Sequence, residues 1–154
     1  SQMPLAPVTL DTLIVQVLGE YAVIAQPRGI DLGASVLDPA QIPGDRDGLR
    51  TLLGNLIDNA IKSAGRKGQV TVGVIAAPPA LRVCDNGPGI KPSERKLIFE
   101  RHARGARPRW EGTGLGLAIV HDIAVLHGAT VTATDAELGG ACLTFEFAPG
   151  EPTP

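Results

Sequence analysis

Two pairs of neighbouring segments with β-strand patterns restrict the possible folds of this protein more than any other feature. The first pair is predicted over residues 70–74 and 81–85, and the second over residues 131–134 and 142–147, each around a short Pro-Pro or Gly-Gly turn. Strands joined by so short a turn pair antiparallel, because a parallel pair needs a long crossover connection. A doubly wound nucleotide-binding fold, with its strict alternation of strand and helix, is therefore disfavoured.

Three longer segments carry the apolar spacing of amphipathic helices. Apolar residues recur at intervals of three and four from Thr9 to Ile24, from about Asp45 to Ala64 and from about Gly114 to His127. A further strand is predicted over 30–37 and a short helix near 93–99. We therefore predict an α/β (α+β) two-layer sandwich, in which three main helices cover one face of a mixed, largely antiparallel sheet.

The composition bounds the class of protein. The 154 residues suffice for one domain over 9–148, with a lead-in at 1–8 and a flexible tail at 149–154. A hydrophobic content of 44% supports a buried core and excludes wholesale disorder. No apolar run approaches the roughly 18 residues of a membrane-spanning helix. An aromatic content of 3% argues against a protein that stacks on single-stranded nucleic acid. Because the first residue is Ser1 rather than Met, we expect a segment of a longer protein.

The two cysteines suggest neither a disulfide scaffold nor a metal site. Cys84 and Cys142 are too far apart for a CxxC motif and too few for a scaffold. We expect both to be reduced core residues, with a redox or metal role as the alternative. The three histidines show no zinc-ligand spacing, so no zinc site is predicted.

The predicted helix over 45–64 has a polar stripe beside its apolar one. Asn55, Asn59 and Lys62 occupy positions i, i+4 and i+7, within about 60° of one another around the helix axis. Asp58 borders the same face. Amide oxygens above an ammonium group suit a divalent cation together with phosphates, although a solvated helix face carries the same residue types.

Two glycine-rich segments and a basic segment suggest an anionic ligand. Asp85-Asn86-Gly87-Pro88-Gly89-Ile90 follows a predicted strand, where a carboxylate accepts a hydrogen bond from an exocyclic amine such as that of adenine. Gly112-Thr113-Gly114-Leu115-Gly116-Leu117 opens a predicted helix, where free backbone N–H groups form an anion site. Residues 91–109 hold seven cations against two acidic residues, which favours an anionic ligand or partner. A tight turn and a solvated loop are the alternatives.

Four motifs in this order resemble the ATP-binding catalytic domain of bacterial sensor histidine kinases. The asparagine box of that family is matched by NLIDNAIK at 55–62 and its first glycine box by DNGPGI at 85–90. The phenylalanine box is matched by IFERHARG at 98–105 and the second glycine box by GTGLGLAIV at 112–120. The resemblance covers about residues 9–148. It implies the Bergerat-type ATP-binding fold, which type II topoisomerase, heat-shock chaperone and mismatch-repair ATPases share.

The resemblance implies a binding site for ATP and Mg²⁺. Asn59 would coordinate Mg²⁺ with assistance from Asn55, Lys62 would contact phosphate, and Asp85 would bind the adenine amino group. Gly87 and Gly89 would make room for the base, and Ile90 and Leu117 would form walls of its pocket. Arg104 would reach the terminal phosphate. The residues that would hold the phosphates are Gly112, Thr113, Gly114, Leu115 and Gly116. Residues 100–111 would form a mobile lid, whose basic excess closes over the polyphosphate.

The same resemblance implies a protein-histidine kinase. Asn55 stands where hydrolytic relatives carry a glutamate that activates water, and since an amide has no useful basicity, we expect no rapid ATP hydrolysis. Asn55, Lys62 and Arg104 would instead support transfer of the γ-phosphate to a histidine on a separate dimerisation domain, absent from these residues, for signalling to a response regulator. We expect this chain alone to bind ATP without phosphorylating itself, to be monomeric, and to contact neither nucleic acid nor membrane. The parent would be anchored in the bacterial inner membrane, with this domain in the cytoplasm.

Two positions depart from the family pattern, and three alternative functions remain. His102 stands where the phenylalanine box usually has a second aromatic residue, and Ser63 where an aromatic residue often follows the lysine. The alternatives are a hydrolytic ATPase, which Asn55 disfavours, a serine kinase of the anti-sigma type, and a docking module that has lost nucleotide binding.

Overall fold

The computed structural model describes residues 5–95, 98 and 117–148. In chain order, the helices and strands are β1 (Ala6–Thr9), α1 (Leu10–Ala25), β2 (Asp31–Leu37), β3 (Gln41–Gly44), α2 (Arg46–Ala64), β4 (Gln69–Ala76), β5 (Pro79–Asp85), α3 (Leu117–Leu126), β6 (Thr130–Asp135) and β7 (Ala141–Glu146). Short 3-10 turns follow α1 at Gln26–Arg28 and β5 at Pro92–Glu94.

Five strands form one sheet in the order β2-β4-β5-β7-β6. The pair β2–β4 is parallel, and α2 lies in the long connection between them, as a parallel pair requires. The pairs β4–β5, β5–β7 and β6–β7 are antiparallel, which confirms both predicted hairpins. The predicted mixed, largely antiparallel sheet is therefore confirmed.

The helices lie together on the sheet. The central helix α2 packs on β4 and β5 and also contacts α1 and α3. Its apolar stripe, which includes Leu53, Leu56 and Ile57, is fully buried in one core with sheet residues such as Leu81 and Phe145. This packing confirms the two-layer sandwich, and it leaves the polar stripe of α2 outside the core.

His127 joins the end of α3 to the start of α2. Its Nε2 accepts a hydrogen bond of 3.0 Å from the backbone N–H of Asp45, the residue before α2. Its Nδ1 lies 2.8 Å from the carbonyl oxygen of Ile123, so this nitrogen carries the hydrogen of that bond. The two helices are thereby held together beyond their apolar contact.

Some elements differ from the predicted ones. The antiparallel pair β1–β3 is absent from the prediction, which has a lead-in at 1–8 and a loop after residue 37. The short helix predicted near 93–99 appears in the described residues only as the 3-10 turn, and the helix predicted from Gly114 is described from Leu117. Within the described ranges, no helix is long and apolar enough to cross a membrane.

The expectation of two reduced cysteines is wrong for this structure. Cys84 on β5 and Cys142 on β7 are direct partners in the antiparallel register and form a disulfide. The two cysteines are 58 residues apart in the sequence, and no motif indicates that they pair. The pairing of β5 with β7 brings their Cα atoms to 4.1 Å. The link therefore follows from strand pairing, which the spacing of two cysteines does not reveal.

Candidate active site

The polar stripe predicted on α2 exists as a continuous helical face. Asn55 and Asn59 are half-buried and Lys62 is exposed, one after another along the helix. Lys62 forms an i,i+4 ion pair with Asp58 at 2.9 Å. Exposed pairs of this kind contribute only about 0.3–0.5 kcal/mol, so Lys62 can exchange Asp58 for another anion at small cost.

Asn59 is the residue of this stripe that most clearly requires a ligand. Its Oδ1 and Nδ2 are both buried, and neither has a hydrogen-bond partner among the described residues. A buried polar group without a partner costs about 1–3 kcal/mol, so this amide is costly to the protein unless a ligand uses it.

The donor set around Asn59 fits Mg²⁺ bound with phosphate. The described residues contain no group of three or more His, Cys, Asp or Glu side chains that could hold a metal by themselves. Mg²⁺ keeps several waters and takes only one or two protein oxygens, with phosphate oxygens supplying the rest. The buried amide oxygen of Asn59 is sufficient as that protein ligand.

Asp85 ends β5 as the one buried charged side chain among the described residues, with a relative exposure of 8%. Its Oδ1 accepts a hydrogen bond of 2.8 Å from the backbone N–H of Gly87. Burial raises the pKa of Asp85, and hydrogen bonding from Gly87, and to a smaller extent from Ala141 and Ser63, opposes the rise. A carboxylate has about four acceptor positions, so Asp85 keeps acceptor capacity for a ligand beside its bond from Gly87.

Two glycines allow the chain to close around this carboxylate. A Cβ on Gly87 would stand 2.3 Å from the carbonyl oxygen of Ser63, and one on Gly140 would stand 2.3 Å from Oδ1 of Asp85. Gly89 has a φ of 80°, which favours glycine. Gly87 and Gly89 were predicted site residues, whereas Gly140 was predicted only as part of a hairpin turn. No sequence signal distinguishes that role of Gly140, because it depends on the pairing of β5 with β7.

The remaining predicted residues divide into two groups. Ile90 packs against the apolar core, and Leu117 is buried in that core at the start of α3. The predicted contacts that lie outside the described residues are Arg104, Gly112, Thr113, Gly114, Leu115 and Gly116, together with His102 and the lid over 100–111.

Arg95, one of the seven cations of the basic segment, has a structural partner. Its guanidinium contacts a carboxylate oxygen of Asp135 on β6 at 2.7 Å, and its Nε donates to the carbonyl oxygen of Ile90 at 3.3 Å. This side chain therefore ties the segment after Asp85 to the edge of the sheet.

A polar cavity of about 440 Å³ lies between α1 and α2 beside Asn55. Its lining includes Glu20 and Arg50, which form an ion pair, and Tyr21. Burial, and then the negative charges of Asp58 and Glu20, raise the pKa of the Tyr21 hydroxyl. Asn55 thus borders an open polar cavity, whereas the amide atoms of Asn59 are buried.

The model of the family described as histidine kinase-, DNA gyrase B- and HSP90-like ATPases matches residues 44–151. The chain belongs to this family. The match includes all four sequence motifs, so the predicted relationship to the ATP-binding catalytic domains of histidine kinases is confirmed.

Individual relatives of this ATPase family agree. MprB of Mycolicibacterium vanbaalenii, a signal transduction histidine-protein kinase/phosphatase, is 42% identical over 123 residues, which are 75% of this chain and 25% of MprB. The histidine-protein kinase AfsQ2 of Streptomyces coelicolor is 42% identical over 108 residues, which are 69% of this chain and 20% of AfsQ2. The chain thus spans a fifth to a quarter of the length of these relatives.

Solved structures of the family share the fold. A mycobacterial MprB structure superposes with a TM-score of 0.77 at 31% identity, over 97% of this chain and 99% of that one. The ATP-binding domain of PrrB from Mycobacterium tuberculosis superposes with a TM-score of 0.79 at 28% identity, over 98% of this chain and 100% of that one. The expected Bergerat-type ATP-binding fold is therefore confirmed.

Proposed function

We propose that this chain binds Mg²⁺ and ATP and transfers the γ-phosphate to a histidine on a dimerisation domain of the same parent protein, from which it reaches a response regulator. The parent would be a sensor kinase anchored in the bacterial inner membrane, with this domain in the cytoplasm as a monomeric unit. The observation that carries the proposal is the buried carboxylate of Asp85, which accepts a hydrogen bond from Gly87 and keeps acceptor capacity for a ligand.

Asp85 supports recognition of adenine rather than guanine. An ionised carboxylate can only accept hydrogen bonds, and the exocyclic amine of adenine is a donor. Guanine presents a carbonyl oxygen at the equivalent ring position, so two acceptors would face each other in a buried site. Because an unsatisfied buried acceptor costs about 1–3 kcal/mol, we expect ATP to be preferred over GTP.

The direction of α2 supports a polyphosphate that runs along the helix. Ser63, at the end of α2, lies against Gly87 in the turn after Asp85, and Asn55 lies eight residues earlier, about 12 Å along the axis. The base at Asp85 would thus place the phosphates beside Asn59 and Lys62. The Asn59 amide oxygen would hold Mg²⁺, which supplies neutralisation of phosphate charge when bound. Lys62 would leave Asp58 for the phosphates.

Asn55 favours phosphoryl transfer over hydrolysis. Its amide, half-buried and without useful basicity, cannot take a proton from water, so the γ-phosphate persists until an acceptor arrives. By their motifs, Arg104 and residues 112–116 of the second glycine box would complete the phosphate site. The chain's own contribution would then be positional and electrostatic, as is usual for phosphoryl transfer.

Calorimetric titration with ATP, with and without Mg²⁺, tests the nucleotide site. We expect the wild type to bind ATP and Asp85→Asn to bind it more weakly, with GTP as the control for base recognition. A folded wild type that binds no ATP would contradict the proposal and would leave the docking module.

Phosphotransfer is tested by mixing the chain with the dimerisation domain of its parent and ATP labelled at the γ-phosphate. We expect label on the dimerisation domain that is lost in acid, because phosphohistidine is acid-labile, and none on this chain alone. Acid-stable label on a protein substrate would indicate a serine kinase. Steady phosphate release by the isolated chain would indicate a hydrolytic ATPase.

A further inference from the structure

The turn after β5, residues 85–90, packs against the hairpin between β6 and β7. A Cβ on Gly140, the last residue before β7, would stand 2.3 Å from Oδ1 of Asp85 and 2.7 Å from the backbone nitrogen of Gly87. A Cβ on Gly89 would lie 3.6 Å from the carbonyl oxygen of Gly140, which is van der Waals contact. The hairpin therefore lies directly against the part of the turn that presents the carboxylate.

Arg95 joins the far end of this turn to the same hairpin. Its Nε donates a hydrogen bond of 3.3 Å to the carbonyl oxygen of Ile90, and its guanidinium contacts a carboxylate oxygen of Asp135 at 2.7 Å. Asp135 is the last residue of β6 and is paired with Ala141 in the antiparallel register, so it lies directly before the hairpin turn. The hairpin thus contacts the beginning of the turn directly and holds its end through Arg95.

The contacts of Arg95 are short-range on one side and long-range on the other. The 3-10 turn at Pro92–Glu94 lies between Ile90 and Arg95, and the backbone N–H of Arg95 donates to the carbonyl oxygen of Pro92 at 3.4 Å. The side chain of Asp135 is 86% exposed, so its ion pair with Arg95 adds little to the stability of the whole domain. We therefore expect the bond network of Arg95 to act on the position of the turn rather than on global stability.

We propose that Arg95 is a positioning residue for the adenine base, which holds the turn at 85–90 against the β6–β7 hairpin and so fixes where the Asp85 carboxylate meets the base. The inference rests on the proposed function, since it takes the ligand at Asp85 to be ATP. The basic segment that contains Arg95 suggested an anionic ligand, whereas both contacts of its guanidinium are to the protein beside the base site. The planar fork of arginine suits this role, because it reaches a carbonyl oxygen and a carboxylate at once.

The test compares wild type with Arg95→Ala, Arg95→Lys, Asp135→Ala and the double variant that carries both alanines. The control is Glu137→Gln, which removes a charge from an exposed side chain of the same hairpin. Affinities for ATP, ADP and GTP are measured by calorimetry. Urea unfolding verifies that the variants are folded, and the amide signals of Gly87 and Gly89 are followed by NMR in the nucleotide-free protein.

We expect Arg95→Ala to shift both amide signals and to weaken ATP and ADP by the same factor of about five, as for loss of one hydrogen bond. The preference for ATP over GTP should fall, because GTP makes no use of the Asp85 acceptor. Asp135→Ala should weaken ATP less, since the bond to Ile90 remains. The double variant should resemble Arg95→Ala, because the two residues act through one contact. Arg95→Lys should lie between wild type and Arg95→Ala, and Glu137→Gln should match wild type.

A loss that is larger for ATP than for ADP would show that Arg95 binds phosphate, and this result would overturn the positioning role. Unchanged nucleotide affinity in Arg95→Ala, or losses that multiply in the double variant, would overturn it as well. A wild type that binds no ATP would instead show that the proposed function is wrong, and the positioning role would fall with it. If wild type binds ATP and Arg95→Ala leaves the Gly87 and Gly89 signals unshifted, only the positioning role is wrong.

Discussion

The variant Asn59→Leu distinguishes the effect of Asn59 on the stability of the ligand-free protein from its effect on ligand binding. Asparagine and leucine have the same number of side-chain heavy atoms and the same branching at Cγ, so the change removes polarity with little change of shape. Both polar atoms of Asn59 are buried without a partner in the described part of the chain. Removing an unsatisfied buried polar group gains about 1–3 kcal/mol. A hydrophobic swap of similar shape costs less than about 1.5 kcal/mol in packing. We therefore expect the ligand-free variant to be more stable than wild type, by at most about 3 kcal/mol.

Urea unfolding with and without Mg²⁺ and ATP measures both effects. A ligand at one hundred times its Kd stabilises a protein by about 2.7 kcal/mol, which we expect for wild type and not for Asn59→Leu. Asn55→Leu is the matched control for the ligand-free protein, because Asn55 borders an open polar cavity. We expect Asn55→Leu to be no more stable than wild type without ligand. An Asn59→Leu variant that is less stable than wild type without ligand, or that keeps its response to Mg²⁺, would contradict the role of Asn59.

Three further predictions concern the surroundings of Asp85. Gly140→Ala would place a methyl group 2.3 Å from Oδ1 of Asp85. We expect a loss of about 1–3 kcal/mol in the free energy of unfolding and at least about a tenfold loss of ATP affinity. The control Gly19→Ala meets open space in α1 and should lower neither the stability nor the ATP affinity. An ATP affinity that Gly140→Ala leaves unchanged would show that this glycine does not support Asp85. Reduction of the disulfide between Cys84 and Cys142, 58 residues apart, should lower the free energy of unfolding by about 4 kcal/mol in the chain-entropy description. Equal urea midpoints with and without dithiothreitol would contradict this. Burial raises the pKa of Asp85 above its value in the unfolded chain. Ionisation of Asp85 therefore lowers the free energy of unfolding at a pH above the folded-state pKa, and this stability is regained as the pH falls through that pKa. ATP affinity should fall in the same window, since the protonated carboxyl loses its acceptor position, and calorimetry showing a constant affinity there would exclude the role of Asp85.

Elements with a strong local pattern could be predicted from the sequence. The alternation at 70–74 and the proline turn after it are sufficient for the hairpin β4–β5, because neighbouring strands joined by a short turn have few other partners. The pair β1–β3 could not be predicted in this way. Its strands are four residues each, contain a proline each, and lie on either side of α1 and β2. Such a pair is stabilised by its position in the fold rather than by its own residues.

Parts of the candidate site could likewise be predicted from residues that are close in the sequence. Asn55, Asn59 and Lys62 share a face because the helical repeat places them there, so their juxtaposition is determined by the sequence of α2 alone. The residues of DNGPGI are likewise contiguous, and the motif order is sufficient to indicate the ATPase family. The roles of these residues toward ATP and Mg²⁺ remain proposals.

The local pattern of residues is thus sufficient to predict the polar face of α2, the turn after β5 and the family. The surroundings of the Asp85 carboxylate depend on the tertiary structure. Ser63 lies at the end of α2, Gly140 in the turn before β7 and Ala141 at the start of β7, and Cys142 pairs with Cys84 across neighbouring strands. Helical and strand repeats act between near neighbours, whereas strand order and helix packing depend on burying one core formed by the whole domain.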